Sequence, residues 1–142
     1  MGNLENIIRK RKGLIIAIDF DGTIVEHEFP KIGVLLPNAK GVIRKLKKDG
    51  HKIIIWTCRN HTEEVKGWNK IATIRAVQNF LDANKIPYNT INENVPSLGF
   101  WLESRKVYAD IYIDDKNLGG FCGWIEAYRM IQEYLKTGKW IK

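Results

Sequence analysis

The sequence predicts an α/β fold of three layers, a parallel sheet with helices on both faces, and three observations lead there. Short apolar runs recur along the chain: Leu14–Ile18, Ile53–Trp56, Tyr88–Ile91 and Val107–Ile113. The first two carry no polar residue at all, the mark of central parallel strands covered on both sides. Between the runs lie segments whose apolar residues return at helical spacing. Finally, three of the runs end in a polar residue, at Asp19, Thr57 and Asp114. In an alternating parallel sheet with right-handed crossovers those positions share the carboxyl edge, where ligands bind.

The elements follow in order. Pro37 and Asn38 open a helix with Ala39, Val42, Ile43 and Leu46 on one face, and Gly50 closes it. Thr62, followed by Glu63 and Glu64, has the chemistry of a helix start, although Gly67 interrupts it. A longer helix is predicted over Asn69–Ala83 with Ile71, Ile74, Val77 and Leu81 inward, ended by Asn84 and Pro87. The stretch Asn92–Ser104 carries no clear pattern. Gly119, Gly120 and Gly123 mark a turn, after which Trp124, Ala127, Tyr128, Ile131 and Leu135 form the inner face of a last helix.

The chain has 142 residues, enough for one domain, 1–142, with a real core. Leu14–Ile18, the longest aliphatic run, is far below the roughly 20 residues that span a bilayer. Met1–Asn6 lacks the apolar centre of a signal peptide, so the expected location is cytoplasmic, with no membrane partner. Cys58 and Cys122 form no CxxC pair. A cysteine phosphatase would place arginine six residues after its nucleophile, and Glu64 and Tyr128 stand there instead. The net charge of +7 concentrates in Arg9–Lys12 and in Arg44, Lys45, Lys47 and Lys48. Without interleaved aromatics this gives only weak support to nucleic acid and favours anionic ligands in general.

Asp19-Phe20-Asp21-Gly22-Thr23 carries the most chemistry. Two carboxylates two residues apart, at a strand mouth where Gly22 lets the chain turn, repel each other unless a cation intervenes. A hard divalent ion with oxygen ligands meets that need. The segment Asp19–Ile24, the strand closing on Thr57 and the run Ile111–Asp115 together resemble the first, second and fourth motifs of the haloacid dehalogenase-like superfamily. They stand in the right order, and the resemblance extends from about Leu14 to Leu135.

The resemblance implies a Rossmann-like sheet and a magnesium-dependent phosphomonoesterase. Asp19 would be the nucleophile that forms an aspartyl-phosphate, with Asp21 as general acid and base. Magnesium would lie between the Asp19 side chain, the main-chain carbonyl of Asp21 and Asp114, with Asp115 supporting it through water or holding the loop. Thr57 would bind a phosphate oxygen. Lys106, with Arg105 beside it as the alternative, would be the phosphate-binding cation, although it stands closer to Asp114 than many relatives place theirs. An acid at Asp21 is similar to the phosphatase and phosphomutase branches rather than to dehalogenases or transporting ATPases.

Only fifteen residues, Gly22 to Leu36, separate Asp21 from the helix at Pro37, and fewer than fifty lie between Thr57 and Lys106. The chain therefore resembles capless members of the superfamily, whose open sites accept large phosphorylated substrates, or small ones if a second copy of the chain covers them. Glu26, His27, Arg59, Asn60 and His61 are candidates for touching the leaving group, Arg59 first, because its fork suits anionic oxygens. Two other readings share these residues. One is a catalytically silent module that binds a phosphorylated ligand, and the other is a nucleic-acid end-processing phosphatase.

Overall fold

A computed structural model describes residues 13–59, 73–96 and 104–140. Four strands form one parallel sheet in the order β3-β2-β1-β4: β1 (Ile15–Ile18), β2 (Lys52–Ile55), β3 (Thr90–Ile91) and β4 (Ile111–Ile113). β1 is the inner strand that pairs with both β2 and β4. Ile16 stands opposite Ile53 and Ile111, and Ile18 opposite Ile55 and Ile113. All four residues of β1 are buried, which is why its sequence is aliphatic throughout.

Three helices complete the described chain: α1 (Ala39–Lys48), α2 (Ile74–Ala83) and α3 (Trp124–Thr137). Ile16, Ile18, Ile53, Ile55 and Ile113 meet Val42, Ile43 and Leu46 of α1, Val77 and Leu81 of α2, and Trp124 and Ile131 of α3 in one core. On the opposite face Ile15, Ala17 and Ile54 are covered by Val95, Val107 and Ala109, which belong to irregular chain. No inserted cap occurs among the described residues, and none of their helices is long and apolar enough to cross a membrane.

Helix α1 buries the four residues its spacing predicts, and Gly50 follows with φ of 97°, the left-handed geometry of a helix stop. Helix α2 is capped by Thr73, in extended backbone, whose hydroxyl accepts a 3.1 Å bond from the Ala76 amide; Asn69, the expected start, lies outside the described residues. Ile71, the start expected at Thr62, and Asn60, His61 and Arg9–Lys12 all lie outside the described residues. Leu135 corrects the expectation for α3, being 46% exposed near the helix end. Strand β4 is shorter than Val107–Ile113. The Asp110 carboxylate accepts the Ile15 amide, and the Tyr112 hydroxyl donates to the Val107 carbonyl and accepts from the Ala109 amide. These bonds fold 107–110 across the sheet face, where Val107 and Ala109 are buried.

Candidate active site

The ladder runs one residue beyond β1 on each side. The Asp19 amide donates to the Ile113 carbonyl, and the Trp56 amide to the Ile18 carbonyl. Asp19 is thereby fixed at the carboxyl mouth of the sheet, level with the end of β4. Asp114 and Asp115 follow β4, and one carboxylate oxygen from each of Asp19, Asp114 and Asp115 lies within 4.8 Å of the others. Three half-buried carboxylates this close offer the oxygen donors that a hard cation takes. The Asp19 carboxyl responds accordingly. Burial, then the Asp114 charge and the hydrogen bond and charge of Asp115, push its pKa up from 3.8 to about 8. Beyond burial, the charge crowding that adds to this shift is what a bound cation relieves, so these residues fit a metal site.

The loop after Asp19 is held by a compact set of contacts. Gly22 adopts φ of 85°, and a Cβ there would stand 2.3 Å from an Asp115 carboxylate oxygen. Glycine is required here twice, once for the backbone and once for the close approach of Asp115. Thr23 is fully buried; its hydroxyl lies 3.3 Å from Asp19 Oδ2 and accepts the Asp115 amide at 3.1 Å. Its carbonyl accepts the indole N–H of Trp124 at 2.7 Å, which ties the start of α3 to the site.

Asp21 points elsewhere. Its two carboxylate oxygens accept from Arg59, Oδ2 from Nε at 2.8 Å and Oδ1 from Nη2 at 2.7 Å, in a side-on fork. The same guanidinium donates to the Pro30 and Lys31 carbonyls at 3.0 Å each and lies over the Phe29 ring, 4.9 Å from its centroid. The Arg59 side chain is 1% exposed, so it is a buried clamp rather than a surface contact for a leaving group. Thr57 is buried beside it, its hydroxyl oxygen accepting the Arg59 amide at 3.1 Å. Lys106 and Arg105 are exposed. The Lys106 ammonium sits 4.9 Å from the Tyr112 ring centroid, and it makes no ion pair with Asp19, Asp114 or Asp115.

Two supporting residues escaped the sequence reading. Asn92, with φ of 54°, accepts the Thr57 amide and donates to the carbonyls of Thr57 and Arg59, locking the loop after β2. Asparagine tolerates the left-handed region, but no periodic pattern announces such a residue. Thr23 sits inside the Asp-x-Asp-Gly-Thr segment, and only the fold reveals that its hydroxyl joins Asp19 to Asp115.

The profile of the haloacid dehalogenase-like hydrolases matches residues 16–117. A solved structure described as a conserved protein from Bacteroides thetaiotaomicron is 34% identical, with a TM-score of 0.71, over 85% of this chain and 91% of that one. No curated protein matches. The profile spans Asp19, Asp21, Thr57, Asp114 and Asp115, the residues that the fold places along the mouth of the sheet, and the protein belongs to the haloacid dehalogenase-like hydrolases.

Proposed function

We propose that the protein is a magnesium-dependent phosphomonoesterase that works through an aspartyl-phosphate on Asp19. The observation carrying this reading is the meeting of Asp19 with Asp114 and Asp115 at the sheet mouth, with a second aspartate two residues on. A divalent cation held by the three carboxylates, with the Asp21 carbonyl, would offset charge building on the transferring phosphoryl oxygens.

The rest of the chemistry falls to the chain itself. An Asp19 oxygen attacks phosphorus while the bond to the leaving oxygen breaks, and Asp21 supplies that oxygen with a proton. Water then attacks the phosphorus of the aspartyl-phosphate and gives its proton to Asp21, which frees phosphate and restores Asp19. Both Asp21 oxygens are engaged by Arg59, so Asp21 has to turn away from that fork to reach a substrate. The Thr57 hydroxyl oxygen already accepts from Arg59, which leaves its proton to donate to a phosphate oxygen. Lys106 serves as the phosphate cation only by swinging off the Tyr112 ring.

The test is Asp19→Asn, which keeps size but cannot attack. Hydrolysis of an aryl phosphate should fall at least roughly a thousandfold. Beryllofluoride, a mimic of the phosphoryl group on a carboxylate, should inhibit the wild type. An Asp19→Asn enzyme with substantial turnover would mean that water attacks directly.

A further inference from the structure

Helix α1 is built against its own stability at one place. Asn38, its N-cap residue, sits at φ of 66° and makes no side-chain capping bond, although asparagine is among the best caps. Gly41 occupies the helix interior, where glycine is the poorest ordinary choice, yet a Cβ there would meet nothing within 4 Å. Lys40 and Arg44, four residues apart on the same surface, repel each other. Neither forms an ion pair among the described residues, whereas nearby Lys45 pairs with Asp49.

These departures converge on a single feature. Asn38, Lys40, Gly41 and Arg44, with Leu35 and Leu36, line a cleft of about 540 Å³. A second cleft of about 610 Å³ shares Leu36 and Asn38 with it and is walled by Gly22 and Asp115. Because Leu36 and Asn38 line both, the clefts adjoin, and taken together they make an open trough with Asp115 toward one end and the two cations toward the other. Gly41, lacking a side chain, keeps its far end clear. Residues that breach local rules together tend to mark function.

We propose that Lys40 and Arg44 form a subsite for a second phosphate group on the substrate, the first being the one hydrolysed at Asp19. This rests on the phosphomonoesterase reading above. The substrate is then a phosphomonoester whose leaving group itself carries phosphate. Arginine offers that group a fork and lysine a point charge. Such chemistry is shared by sugar bisphosphates and by the phosphorylated end of an oligonucleotide.

The experiment compares kcat/KM for p-nitrophenyl phosphate, fructose 1,6-bisphosphate and a 3′-phosphorylated trinucleotide, in wild type and in Lys40→Gln/Arg44→Gln. The ratio of at least one two-phosphate substrate to the aryl phosphate should fall about tenfold in the double variant. Whichever ratio falls identifies the source of the second phosphate. Gly41→Glu, which fills the trough with a negative charge, should lower the same ratio, while Gly41→Ala should raise the thermal midpoint. Calorimetric titration of both ligands into Asp19→Asn protein gives a readout independent of turnover. If the protein hydrolyses nothing, yet binding weakens about tenfold with the double variant, the subsite stands and the catalytic reading fails. If ratios and binding are the same in wild type and double variant, or neither two-phosphate ligand binds, the subsite is wrong.

Discussion

Arg59→Ala would test whether the site loop is held by one buried cation. To the described residues the guanidinium donates four hydrogen bonds, two to Asp21 and one each to the Pro30 and Lys31 carbonyls. Truncation leaves Asp21 and two carbonyls without these donors. Removing one partner of a buried ion pair costs about 3–5 kcal/mol. The Asp21 side chain is 13% exposed and regains some water, so the lower end, about 3 kcal/mol, is the better figure. At about 2.1 cal/mol/K per residue, 142 residues give an unfolding entropy near 0.3 kcal/mol/K, and the thermal midpoint should drop by about 10 °C. Arg59→Lys should recover less than half of that, because an ammonium cannot reproduce the fork. Calorimetry on Arg59→Ala, Asp21→Asn and the double variant gives the coupling, expected near 2 kcal/mol. A midpoint drop under about 3 °C together with additive single effects would refute the clamp.

Four further outcomes can be checked. EDTA should abolish aryl phosphate hydrolysis and magnesium should restore it, with calcium much less effective because its looser shell misplaces the nucleophile. Magnesium should also raise the thermal midpoint more at pH 8 than at pH 6. With its pKa near 8 the Asp19 carboxyl holds a proton at the lower pH, and Asp19→Asn should remove most of that difference. Gly22→Ala forces a side chain into positive φ and against Asp115, and should cost at least about 2 kcal/mol in denaturant melts. His51 is buried, its Nδ1 accepts the Leu14 amide, and burial lowers its pKa below 6.5. The unfolded chain therefore takes up a proton first as pH falls through 6.5, and stability declines below that point. His51→Gln should flatten the decline between pH 7.5 and 5.5, and an unchanged slope would show that His51 is not its cause.

The sheet and its order of polar ends were legible because burial on both faces leaves an unmistakable aliphatic run, as at Ile15–Ile18. The inner face of α1 was equally plain, since one buried stripe writes a 3.6 period. Val107–Ala109 misled because residues that pack irregularly across a sheet alternate just as a strand does. Within the site, Asp19, Asp114 and Asp115 could be read from their positions at strand ends. The partner of Asp21 could not, because the contact with Arg59 joins residues 38 apart. Arg59 looked like a ligand for substrate anions, and its clamp on Asp21 depends on how two loops fold toward each other. Lys106 was chosen by charge and order alone, and neither determines which way a long flexible side chain turns.

The pairing of β1 with both β2 and β4 has a consequence for how the protein is made. Ile16 pairs with Ile111 across 95 residues of chain, whereas its other neighbour, Ile53, is much closer in sequence. A nascent chain that has reached β3 can pair three strands, yet it leaves one edge of the most apolar strand without a partner. At that stage Asp19 has neither Asp114 nor Asp115 beside it. The late arrival of β4 therefore covers the sticky edge and brings in both remaining carboxylates in one event. Closing so long a loop is entropically slow. An unfinished chain consequently lacks the assembled carboxylate cluster and stays exposed to aggregation for as long as that closure takes.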